Sequence, residues 1–154
     1  MSLVLFKLPI RPRLSLGTFV GNVNVPLQAI PTKSRFRPII EAFEQNRFVL
    51  ILSNEILLEC EELLKKLGGA RAWPDFRALL AALPNNSILV SPSYRWQAIR
   101  RDPDDDKFVD AAVAGNAEWI VTEDSDFDDL VADTRLLVRP LDPRDFIDLL
   151  RRHG

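Results

Sequence analysis

Two runs of carboxylates in the second half of the chain are the residues best suited to chemistry. Asp102, Asp104, Asp105 and Asp106 form the first, and Asp124 and Asp126 the second. Carboxylates crowded within about 4 Å repel by roughly 4 kcal/mol per pair at an effective dielectric of about 20. They tolerate this when protonated, when paired with Lys or Arg, or when a divalent cation sits between them. The first two remedies suit a solvated acidic surface. The third makes a metal centre, and oxygen donors of this kind suit a hard cation. Glu59, between Leu58 and Cys60, is a third acid to weigh. It either joins Glu61 and Glu62 on an exposed face or points to the same place as the aspartates.

Which remedy applies depends on the elements that carry these acids. Asp102-Pro103 is a helix entry, since the side chain can cap free amides and proline fits the first turn. Phe108, Val109, Ala112 and Val113 recur at helical spacing and make one apolar stripe, which turns Asp105 or Asp106 inward at the helix mouth. Gly115-Asn116 ends that helix, and Trp119-Ile120-Val121-Thr122 is a short β-type run. Ligands of parallel α/β sheets collect outside the carboxyl ends of strands, where Asp124 and Asp126 would emerge. Upstream, Phe48 to Leu52 is an unbroken apolar run, as a buried parallel strand requires. Ser53 caps a helix over 54–67 that stops at Gly68-Gly69 and carries Glu59 in its second turn. Further elements are a strand within 14–21, a helix entered through Pro38, a helix over 75–83 after Pro74, and a strand over 87–90. A short helix over 127–131, a last strand over 136–138 and a final helix from Asp142-Pro143 to Arg152 complete the chain. This alternation predicts an α/β fold, a parallel sheet with helices on both faces. Residues 1–13, with Pro9 and Pro12, read as an N-terminal arm, and 14–154 as one domain.

The 154 residues, 47% of them hydrophobic, suffice for one domain with a sizeable core. A net charge of -2 argues against a generally basic nucleic-acid binder, but 20 Lys and Arg leave room for a local patch. The single cysteine, Cys60, cannot form an internal disulfide and fits a reducing cytoplasm. The single histidine, His153, stands next to the C-terminus, which disfavours histidine-based metal or triad chemistry. No apolar run approaches the roughly 18 residues of a membrane-spanning helix. Met1 to Ile10 lacks the charged start and cleavage site of a signal peptide.

Three blocks taken together resemble the PIN-domain family, in particular the toxin components of toxin–antitoxin systems. They are Ser53-Asn54-Glu55-Ile56-Leu57-Leu58-Glu59, Asp102-Pro103-Asp104-Asp105-Asp106-Lys107-Phe108, and Ile120-Val121-Thr122-Glu123-Asp124-Ser125-Asp126. Leu141 to Phe146 is similar to that branch's last helix. The resemblance implies a metal-dependent endoribonuclease holding one or two Mg²⁺ or Mn²⁺ ions on strand-end acids. It carries Glu59, Asp106 and Asp124 over as catalytic metal ligands, with Asp105 and Asp126 as alternative or supporting ligands. Asp106 is preferred to Asp105 because the family's helix acid precedes its apolar pair by two and three residues, matching Phe108 and Val109. The first strand departs from the pattern. The family has Asp-Thr-Asn where this chain has Asn22-Val23-Asn24. Asn22 can offer a carbonyl oxygen but no negative charge, so metal affinity should fall.

Arg95, Arg100 and Arg101, with Tyr94 and Trp96, stand just before the acidic helix and form a candidate RNA surface. The ordinary alternative is a solvated basic face. The expected partners are an RNA substrate, an antitoxin protein and a second copy of the chain, with no membrane. Two other functions compete: a catalytically weak PIN-like module that binds RNA or protein, and a phospho-acceptor receiver domain. The latter needs an acid pair after its first strand and a lysine after a late one. Asn22-Val23 and Arg139-Pro140 stand at those places.

Overall fold

The computed structural model describes residues 5–6, 19–21, 33–35 and 37–153. Among these residues six strands form one sheet: β1 (Leu5–Phe6), β2 (Phe19–Gly21), β3 (Leu50–Leu52), β4 (Ser87–Leu89), β5 (Trp119–Val121) and β6 (Arg139–Leu141). Their order is β4-β3-β1-β2-β5-β6, with β2 also pairing β3. β2 to β6 run parallel, in the registers Ile51↔Ile88, Val20↔Ile120 and Ile120↔Pro140. The α/β expectation holds, with one addition. Leu5 and Phe6, inside the expected arm, form an antiparallel strand against β2 and β3. The Asn22 to Pro26 segment lies outside the described residues.

Among the described residues six α-helices accompany the sheet: α1 (Arg37–Glu44), α2 (Asn54–Leu67), α3 (Ala72–Ala82), α4 (Asp106–Ala114), α5 (Asp129–Ala132) and α6 (Pro143–Arg152). β3 is wholly buried, as its unbroken apolar run demands. α2 begins where expected: the amide of Ile56 donates to Ser53 Oγ at 3.3 Å, and Lys65 and Lys66 close the last turn. α6 likewise starts on Asp142, whose Oδ1 accepts from the Arg144 amide at 2.8 Å. The rings of Phe43, Phe48 and Phe146 follow one another at 5.5 and 5.4 Å, joining α1, the approach to β3 and α6. Gly115 follows the last residue of α4, and a Cβ at that position would collide with the Ile51 side chain. Asn116 then takes the left-handed turn, φ 56°.

Three boundaries differ from the sequence reading. α3 starts at Ala72 rather than Asp75, since proline is tolerated throughout a first turn whose amides have no helical acceptor. The helix over 127–131 resolves into a 3₁₀ turn, Ser125–Asp128, followed by α5. The last strand is Arg139–Leu141, not 136–138. Leu136 and Val138 are buried, but Leu137 is 91% exposed, and the ladder with Trp119–Val121 begins only at Arg139. Among the described residues no helix is long and apolar enough to cross a membrane.

Candidate metal centre

The parallel strands bring their carboxyl ends to one border of the sheet, and the acids arrive there from three directions. From β5 the chain runs through Thr122, whose Oγ1 accepts from the Asp124 amide at 3.0 Å. Asp124 Oδ1 in turn accepts from the Asp126 amide at 2.9 Å, so two successive side-chain turns fix the loop. From α4 come the aspartates of the helix entry. Asp102 Oδ1 accepts from the Asp104 amide at 3.0 Å, and Pro103–Asp105 form a 3₁₀ turn ahead of the α-helix. From α2 comes Glu59.

The 3₁₀ turn decides which helix acid faces inward. Asp105 is 5% exposed, and one of its carboxylate oxygens, Oδ2, meets no hydrogen-bond donor among the described residues. Asp105, Asp124 and Asp126 each offer an oxygen, and the three lie within 4.8 Å of one another. Burial, aided by repulsion from Asp102, Asp124 and Glu59, pushes the Asp105 carboxyl up to about 6. A buried, unpartnered oxygen in a carboxylate trio is the environment a divalent cation relieves, so the donor set fits a hard metal ion.

The other expected ligands sit differently. Asp106 lies outside that trio: its Oδ1 accepts from the Ile99 amide at 2.8 Å and tethers the preceding loop. Three residues of 3₁₀ helix rotate the chain more tightly than an α-turn would, which hands the inward place to Asp105. Glu59 Oε2 is buried against the Lys107 ammonium at 2.5 Å. Asn22 lies outside the described residues.

The basic residues divide. Arg95 is latched by two acids, Nη2 to Glu55 Oε1 at 2.8 Å and Nη1 to Asp110 Oδ2 at 3.3 Å, so it pins the 90–101 loop onto α2 and α4. Hydrogen bonds from Arg95 hold Glu55 below the usual carboxylate range. Arg101 Nη1 reaches 3.8 Å from Asp126 Oδ1 and faces the trio itself. Arg100 lines two grooves, one on either side of the loop. The larger, about 1210 Å³, also has Glu59, Asp104, Asp106 and Lys107 in its walls, and the smaller, about 590 Å³, Trp96, Arg101 and Arg135. Tyr94 meets Trp96 edge to face at 4.7 Å.

Two residues escaped the sequence reading. Asp110 is wholly buried, its Oδ1 accepting from the Trp96 amide at 2.9 Å; burial raises its carboxyl although that bond and Arg95 oppose the shift. The signal for it was an acid set among Val109, Ala111 and Ala112, where a charge must find a partner. Lys107 was legible only as a charge beside Asp106.

A family model described as PIN domain matches residues 22–126, about two thirds of the chain. No curated protein and no solved structure matches. The matched span opens at Asn22 and closes at Asp126, taking in every acid of the centre, and the chain belongs to the PIN domain family, whose fold generally serves metal-dependent nucleases.

Proposed function

We propose that this PIN domain is an endoribonuclease dependent on Mg²⁺ or Mn²⁺, and the toxin of a toxin–antitoxin pair. The observation that carries the nuclease reading is the convergence of Asp105, Asp124 and Asp126 round a buried oxygen that has no hydrogen-bond partner among the described residues. These three would hold the ion, with Asn22 adding a neutral carbonyl oxygen. A divalent cation held there supplies an activated water near neutral pH and offsets charge on the phosphate. Glu59 and Asp106 serve the centre from its edge, Glu59 through Lys107 and Asp106 by holding the Ile99 amide. Arg100 and Arg101 receive RNA phosphates beside Trp96, while Arg95 keeps the loop that carries them in place. An antitoxin protein restrains the activity, and the chain works in the cytoplasm, in keeping with a free, buried Cys60.

The experiment is a calorimetric Mn²⁺ titration of wild type, Asp105→Asn and Asp106→Asn, run beside cleavage of single-stranded RNA with and without EDTA. Uptake and EDTA-sensitive cleavage should be lost in Asp105→Asn and largely kept in Asp106→Asn. Equal uptake by all three would refute the assignment. Asn22 favours a second reading, a catalytically weak RNA- or protein-binding module. RNA binding that needs Arg100 and Arg101, without cleavage at saturating Mn²⁺, would decide for it.

A further inference from the structure

Beside the aspartate trio the described residues hold a second acidic group that already has a cation in it. Lys107, in the first turn of α4, sets its ammonium 2.5 Å from Glu59 Oε2 on α2 and 3.2 Å from Asp104 Oδ2. The Lys107 and Glu59 side chains are only 15% and 17% exposed. The ammonium also lies 5.6 Å from the centroid of the fully buried Phe108 ring, whose π-face favours a cation. Its position is thus fixed from three sides.

We propose that Lys107 is a resident cation that reserves Glu59, so that the centre takes one divalent ion, at Asp105, Asp124 and Asp126, and no second ion at Glu59. This rests on the metal-dependent reading above. Charge balance supports it on both sides. Three carboxylates against Arg101 leave two negative charges at the trio, matched by one divalent ion. Lys107 offsets the charge of the mostly buried Glu59, while its other partner, Asp104, is solvated, so a second ion there would have to displace the ammonium from Glu59. The displaced ammonium would stay beside that ion as a like charge, tethered by a helix that cannot turn away. A lysine suits this task because its charge is compact and its stem packs along apolar surface.

The test counts bound Mn²⁺ by equilibrium dialysis and by the loss of the free-ion paramagnetic resonance signal. Wild type and Lys107→Arg should each bind one Mn²⁺ per chain. Lys107→Gln should bind a second, weaker Mn²⁺, and Lys107→Gln combined with Glu59→Gln should return to one. Two Mn²⁺ in wild type would overturn the proposal without any variant being made. So would a count that stays at one in a Lys107→Gln protein whose circular dichroism matches wild type. Those results spare the nuclease reading, because the first ion still depends on Asp105. No Mn²⁺ uptake by wild type or any variant would overturn both.

Discussion

Replacing Asp105 by Asn should make the metal-free protein more stable and at the same time insensitive to metal. Asp105 is buried, its Oδ2 meets no donor among the described residues, and its carboxyl stands at about 6 against an ordinary 3.8. Holding such a group ionised at pH 7 costs up to about 3 kcal/mol, since each pKa unit corresponds to about 1.4 kcal/mol. Water near the mouth of the site screens part of that, so roughly 1–3 kcal/mol is the expected gain from an uncharged side chain of the same shape. At about 2–4 °C per kcal/mol for a chain of this size, Tm should rise by roughly 2–12 °C in EDTA. The pH dependence has a defined sign. A carboxyl raised in the folded state keeps its proton longer there than in the unfolded chain, so it favours folding below about 4, and that contribution is lost as pH rises through about 6. The two proteins should therefore melt together near pH 4 and separate above pH 6. With Mn²⁺ the order reverses, because a ligand that binds only the folded state stabilises it by RT ln(1 + [L]/Kd), and only wild type keeps the full site. Differential scanning fluorimetry across pH, with EDTA or Mn²⁺, measures all of this. An Asp105→Asn protein that melts lower than wild type in EDTA at pH 7, or gains as much from Mn²⁺, would refute the reasoning.

Three further predictions rest on other residues. Asn22→Asp should tighten Mn²⁺ binding roughly tenfold, equivalent to about 1.4 kcal/mol, and speed RNA cleavage; unchanged calorimetric affinity would show that position 22 does not reach the ion. Asp110→Ala should destabilise by roughly 2–4 kcal/mol in urea unfolding, as it strips the Trp96 amide and Arg95 of their buried acceptor. Asp110→Asn, which can still accept from Trp96, should lose about half as much, and equal losses would contradict the assigned hydrogen bond. Gly115→Ala should cost roughly 1–3 kcal/mol by the same measurement through its collision with Ile51, the backbone φ of -93° being no obstacle to alanine.

Local signals located much of this architecture. Ser53 and Asp142 announce two helix starts by side-chain chemistry that needs no distant partner, and both helices begin there. The apolar run ending at Leu52 announces a strand buried on both faces. Features that depend on distant pairing were harder to place. Leu136 to Val138 look like a strand by composition, yet the hydrogen-bond ladder is offered only three residues later, opposite Trp119. Arg139-Pro140-Leu141 has little strand propensity and is placed by β5. At the centre, sequence spacing allowed either Asp105 or Asp106 to face inward. The outcome depends on a 3₁₀ turn that no residue type dictates. Arg95 read as an exposed base because Glu55 and Asp110 are remote from it in sequence, and only folding brings both to its guanidinium.

The aromatic run through Phe43, Phe48 and Phe146 has a consequence for biosynthesis. Two of its rings, Phe43 and Phe48, are translated about 98 residues ahead of the third, Phe146 on α6, although all three end in one buried cluster. A nascent chain lacking residues 143–152 therefore carries a greasy, unfinished surface where Phe48 should be covered. During that interval it should be sticky and protease-sensitive, and helped by a chaperone.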